Sequence, residues 1–196
     1  NSGRIHMVLP KTEDYQISLV LREGDLLSEL NQEVKRSNFD IAIVGAPKRK
    51  RMTHQLAQFL DTSIFFVRNF NPSWNYKILL CVDDSRATKR AVIFSTRISK
   101  QFSAEIKNVT VSKTTFFGKG YRNAYQWAER YLKRRDVSFS STLLSGNPVD
   151  EFVREAGDDH IIILGKSKGN EIMKFIWGSK PIQTAQRANC PVLLVN

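Results

Sequence analysis

Short unbroken apolar runs punctuate this chain, and between them apolar positions recur at helical spacing. Ile78-Leu79-Leu80-Cys81-Val82, following Tyr76 and Lys77, is nearly continuous. A strand buried on both faces of a parallel sheet has that composition. Asp83-Asp84-Ser85 ends the run. Ala87, Ala91, Phe94 or Ser95, and Ile98 then share one helical stripe, with Ser85 placed to cap it. Residues 104–111 read as a second strand, and Tyr121, Ala124, Tyr125, Ala128 and Leu132 mark a helix over 121–135. Val137 to Leu144 alternates as a strand, and Val149 to Ala156 is a short helix. Ile161 to Leu164 forms a fourth strand and Pro191 to Val195 a fifth. Strand and helix alternate, which predicts an α/β fold: an open parallel five-stranded sheet flanked by helices, joined by right-handed crossovers.

The first part of the chain repeats the end of this pattern. Gln16 to Leu21 reads as a strand, Leu26 to Val34 as a helix, and Phe39 to Gly45 as a buried strand ending in glycine. Ser63 to Val67 mirrors Pro191 to Val195, so residues 17–67 parallel residues 138–195 as an internal repeat. Its front is lacking. Met7-Val8-Leu9-Pro10 can supply a strand, but no helix fits between it and Gln16, and nothing matches Tyr76 to Val82. The pattern therefore predicts a partial or degenerate unit over residues 1–70, a linker at 71–75 containing Pro72, and a complete unit over 76–196. An unpaired half-sheet leaves strand edges open, so residues missing from the front of the first unit are expected.

Composition narrows the class. With 41% hydrophobic and 25% charged residues, the chain is ordinary for a globular protein. No apolar run reaches the roughly 20 residues of a membrane span, and Asn1 to Met7 has no signal-peptide core. Cys81 and Cys190 both sit in apolar strand-like segments, so a disulfide framework is not expected and the chain reads as cytoplasmic. The net charge of +11 falls in clusters: Lys48-Arg49-Lys50-Arg51, and Arg130 with Lys133-Arg134-Arg135. The second closes a helix, where cations complement the dipole. Aromatics do not interleave with the basic runs as a base-stacking surface requires. Solvated basic faces, or a small-polyanion site, are therefore expected ahead of nucleic acid.

At this point the sequence resembles the universal stress protein family. Ile78-Leu79-Leu80-Cys81-Val82-Asp83-Asp84-Ser85 is similar to the strand that opens its domains, with Asp84 where the family often has glycine. Its nucleotide-binding members carry Gly, two residues, Gly, nine residues, then Gly followed by Ser or Thr. Gly165 and Gly178-Ser179 are in that register, with twelve residues between the glycines. Gly178 to Val195, including Asn189-Cys190-Pro191-Val192, looks like the closing helix and strand. The likeness covers residues 74–196 well and 17–67 more faintly. It departs at the middle glycine, where Lys168 stands and Gly169 is displaced by one. A Cβ there opposes close backbone approach to phosphates, although Lys168, like Lys166, can supply a cation instead. The corresponding loop of the first unit, Gly45-Ala46-Pro47-Lys48, is shorter and has no Gly-Ser, so that unit is expected to bind no nucleotide.

What the resemblance implies is ATP or another adenine nucleotide, with Asp83 at the adenine or ribose end. The loop of Gly165, Lys166, Lys168, Gly169, Gly178 and Ser179 would meet the phosphates. Asp83 and Gly165 end predicted parallel strands, where ligands of open α/β sheets bind. Gly178-Ser179 precedes a helix with Pro181 in its first turn, which suits an anion. The structural alternative is that Asp83 and Ser179 only cap helices and the glycines only turn the chain. His6, His54 and His160 have no metal-ligand spacing, and His160 beside Asp159 reads as a surface turn. There is no nucleophile elbow and no full P-loop. The expected role is regulatory rather than enzymatic, with weak ATP hydrolysis at most. The alternative is a non-binding regulatory or dimerisation module, such as a cytosolic piece of a membrane transporter. Family members pair through the last strand, so Ile64 to Val67 is expected beside Val192 to Val195, as a pseudo-dimer within one chain that can dimerise again.

Overall fold

The computed structural model describes residues 4–8, 18–45, 50–166 and 180–196. Seven strands form one sheet, in the order β3-β4-β9-β8-β5-β6-β7. Five come from the second part of the chain: β5 (Lys77–Val82), β6 (Ile106–Ser112), β7 (Phe139–Ser145), β8 (His160–Gly165) and β9 (Val192–Val195). They pair in parallel throughout. Two more, β3 (Ile41–Gly45) and β4 (Ser63–Val67), are parallel to each other and join across an antiparallel seam. In that seam Ile64, Phe65 and Phe66 lie opposite Leu194, Leu193 and Val192. The sheet is thus larger than the predicted five strands. The two additional strands enter through the expected pairing of residues 64–67 with 192–195, which brings β3 in beside β4.

Of the strands of the second part, β5, β8 and β9 have nearly continuous apolar sequences because both of their faces are covered. On one face Leu79, Cys81, Val109, Val111, Ile162 and Leu164 are buried. Against them pack α2 (Lys50–Phe59), α5 (Pro148–Ala156) and α6 (Lys180–Arg187), through side chains such as Leu56, Phe152 and Ile182. On the other face Ile78, Leu80, Val82, Ile106 and Ile163 meet α3 (Arg86–Phe102) and α4 (Lys119–Arg134), through Ala91, Val92, Ala128 and Leu132. Alternate residues of each strand point to opposite helical layers, as the pleat requires. At the edge, β3 is thinly covered: Ile43 keeps 71% of its surface exposed.

The helix α1 (Leu26–Ser37) begins with Asp25, whose carboxylate accepts from the Ser28 amide at 3.0 Å, and ends at Asn38 in the left-handed region. Arg22 pairs with Glu29 and Glu33 and so ties α1 to the preceding strand. That strand, β2 (Ser18–Arg22), does not enter the main sheet as the counterpart of β7. It pairs antiparallel with β1 (Arg4–Val8) in a separate two-stranded ribbon. Length accounts for the antiparallel sense of this pair: residues 9–17 join the two strands, and a parallel crossover needs about a dozen residues or more. A helix over 50–59 was not anticipated in a segment noted only for its basic residues.

Candidate functional site

Asp83 follows β5 at its C-terminal end, and Gly165 closes β8 beside it. From β5 the chain crosses through α3 to β6 on one side, and from β8 it crosses through α6 to β9 on the other. The connections therefore diverge between β5 and β8. Such a switch point opens a crevice at the carboxyl ends of the strands.

Within it the predicted residues have defined local duties. One carboxylate oxygen of Asp83, Oδ1, accepts from the Thr88 hydroxyl at 2.6 Å and from the Ser85 amide at 3.0 Å. The Asp83 amide in turn donates to Thr88 Oγ1 at 3.1 Å. This knot starts α3. Ser85 occupies the N-cap position without a side-chain capping bond, and its own amide donates to Asp83. Gly165 is required for packing: a Cβ there would lie 2.4 Å from the carbonyl carbon and oxygen of Ala87. Only a glycine lets β8 pass this close to the first turn of α3.

Lys166 is placed unlike a phosphate ligand. Its side chain runs back to the first unit, where Nζ donates to the carbonyls of Leu60 at 2.6 Å and Thr62 at 3.2 Å. Only 8% of the residue is exposed. The ammonium thus satisfies carbonyls just past the C-terminal end of α2, a position that favours cations. The Lys166 carbonyl accepts from Arg90 Nη2 at 3.1 Å, and its amide donates to Val195 at 2.6 Å. Lys168, Gly169, Gly178 and Ser179 lie outside the described residues. Thr88 and Arg90 were not anticipated: their only trace in the sequence is a position in the first turns after Asp83.

Other chemistry is sparse. His160 is buried rather than a surface turn residue: it opens β8, and its Nδ1 lies 2.9 Å from the Ala156 carbonyl and 2.7 Å from Asp159 Oδ1. The ring folds back onto the end of α5, which the Asp159-His160 pair alone does not reveal. Cys81 and Cys190 are free and buried. Burial pushes the Cys81 thiol well above its usual value and the Cys190 thiol up to about 11, so neither is a thiolate at neutral pH. Among the described residues no three His, Cys, Asp or Glu side chains gather as a metal site. Nor is any described helix long and apolar enough to cross a membrane.

Residues 75–196, more than half of the chain, match the model of the universal stress protein family. The chain belongs to that family. A comparison with curated proteins found no match. Among solved structures, a universal stress protein from Archaeoglobus fulgidus DSM 4304 superposes with a TM-score of 0.71 at 15% identity, over 88% of this chain. The present chain spans 66% of that protein's length. A protein of unknown function from Pseudomonas aeruginosa PAO1 gives 0.63 at 14% identity, over 88% of this chain and 68% of its own. A universal stress protein solved in complex with cAMP gives 0.52 at 21% identity, over 63% of this chain and 98% of its own. At these identities the likeness establishes the fold, and the family rests on the sequence model.

Proposed function

We propose that this universal stress protein family member binds an adenine nucleotide in the crevice between β5 and β8 and acts as a ligand-responsive regulator, not as an enzyme. The observation that carries the reading is the divergence of the chain at that point, with Asp83 and Gly165 ending adjacent strands. A structural relative holding cAMP supports the same ligand class. In this reading Asp83 meets the nucleoside end and the segment from Gly165 to Ser179, with Lys168 in place of glycine, meets the phosphates. The unit of β3, α2 and β4 serves as a partial second copy, and the β4–β9 seam as a pseudo-dimer interface within one chain. Titration calorimetry with ATP and cAMP tests the reading. Binding in the micromolar to millimolar range is expected, weakened at least tenfold by Asp83→Ala. Absence of heat at about 1 mM ligand, which corresponds to only about 4 kcal/mol of affinity, would discard it.

A non-binding regulatory module is the second reading, favoured by the engagement of Lys166 with Leu60 and Thr62. Lys168→Gly separates the two: nucleotide binding that appears only in this variant supports the second.

A further inference from the structure

The positive charge of this protein is concentrated on one layer. α3 and α4, side by side on one face of the sheet, contain ten Lys or Arg residues and a single carboxylate, Glu129, a net +9 of the chain's +11. On α3 the cations are Arg86, Lys89, Arg90, Arg97 and Lys100, all exposed. Their spacing places them within about a third of a turn, opposite the buried Ala91, Val92 and Ser95. On α4 they are Lys119, Arg122, Arg130, Lys133 and Arg134, again exposed and on one stripe, opposite Ala128 and Leu132. Among the described residues none of the ten makes a salt bridge, whereas Arg22, Lys107, Arg154 and Arg187 elsewhere all do. Two parallel stripes, each about 24 Å long and about 10 Å apart, make a broad, flat and uncompensated cationic field. Mutual repulsion in such a field costs stability, so an anionic partner offsets it.

The aromatics decide which partner. Trp127 and Tyr131 stack on each other at 5.3 Å, and Lys89 and Arg135 lie over their rings at 5.6 and 5.2 Å. Those ring faces are taken, so they offer no platform to a nucleic-acid base. Phe102 and Phe116, at opposite ends of the helical layer, are 74% and 73% exposed. Arg122 lies 5.7 Å from the Phe116 ring. A cation field with half-buried aromatics and exposed apolar side chains at its ends matches the composition of membrane-surface elements. We infer that the α3–α4 face docks peripherally on an anionic lipid bilayer, the phosphates of its headgroups meeting the two cationic stripes.

The test uses the whole chain and sedimentation with sucrose-loaded vesicles at about 50 mM salt, where surface electrostatics are strong. Vesicles of phosphatidylcholine with about 30% phosphatidylserine are expected to carry the protein down, and pure phosphatidylcholine vesicles are not. Each cation near such a surface contributes roughly fivefold to partitioning. The variant Arg97→Gln/Lys100→Gln/Arg130→Gln/Lys133→Gln is therefore expected to lose at least about tenfold, and raising salt to about 0.5 M to abolish binding. Replacement of Lys35 and Arg51 by Gln, exposed on α1 and α2 and outside this field, is expected to change it less than twofold. All four positions of the quadruple variant are exposed, and its circular dichroism and melting temperature verify folding. Three results overturn the inference: no sedimentation with serine-lipid vesicles at low salt, sedimentation unchanged in the quadruple variant, or retention by a DNA duplex with none by vesicles.

Discussion

At residue scale, Lys166 and Gly165 show how one sequence signal hides two duties. A lysine after a glycine at a strand end resembles a phosphate ligand, yet its ammonium spans to Leu60 and Thr62, 106 and 104 residues earlier in the chain. Removing it leaves two carbonyls past the end of α2 without that donor. Lys166→Met keeps the stem and deletes the charge, and is expected to cost about 1.5–3 kcal/mol, the value of hydrogen bonds to charged groups. Urea unfolding measures it, and an unchanged midpoint would refute the assignment. The two strand-ending glycines provide a paired test. Gly165→Ala forces a methyl against the Ala87 carbonyl and is expected to destabilise by about 1–3 kcal/mol. Gly45→Ala, with nothing within 4 Å of the new carbon, is expected to fall within about 0.5 kcal/mol of the parent in the same assay. The place of Asp83 at the end of β5 was legible because the apolar run of that strand stops there. Lys166 was not, since its partners are distant in sequence and periodicity carries no information on reach.

At the scale of elements, the strands and long helices of residues 76–196 were legible to within a few residues, because β5, β8 and β9 are nearly unbroken apolar runs, β7 alternates and the helices carry an apolar stripe. Two elements escaped. Basic residues in α2's first turn drew attention to charge and away from Met52, Leu56 and Ala57, its core-facing stripe. The pairing of β1 with β2 was invisible because a lone strand pattern does not name its neighbour. Seam strand β4 is the element on which most depends: Phe66 is 1% exposed and lies opposite Val192. Phe66→Ala is expected to cost about 3–5 kcal/mol. The loss should appear in one cooperative transition, because β4 belongs to the same sheet as the second unit. Calorimetry checks this, and a separate early transition for the first unit would contradict it.

For the molecule as a whole, the family, the layered α/β plan and the meeting of residues 64–67 with 192–195 were legible, while the total of seven strands in one sheet was not. Contacts across the seam are reciprocal. Lys166, after β8, holds carbonyls beyond α2, and Arg68, after β4, donates to Gln186 and Ala188 at the end of α6 at 3.3 and 3.0 Å. The antiparallel junction of β4 with β9 also reverses chain direction across the sheet. The carboxyl ends of β3 and β4 therefore point away from those of β5 and β8. No single small ligand can touch both Gly45 and Gly165. What adjoins the β5–β8 crevice from the first unit is instead the turn entering β4, held by Lys166. Occupancy of the crevice would thus be felt at the incoming end of the neighbouring unit, while that unit's own strand tips face the far side of the protein.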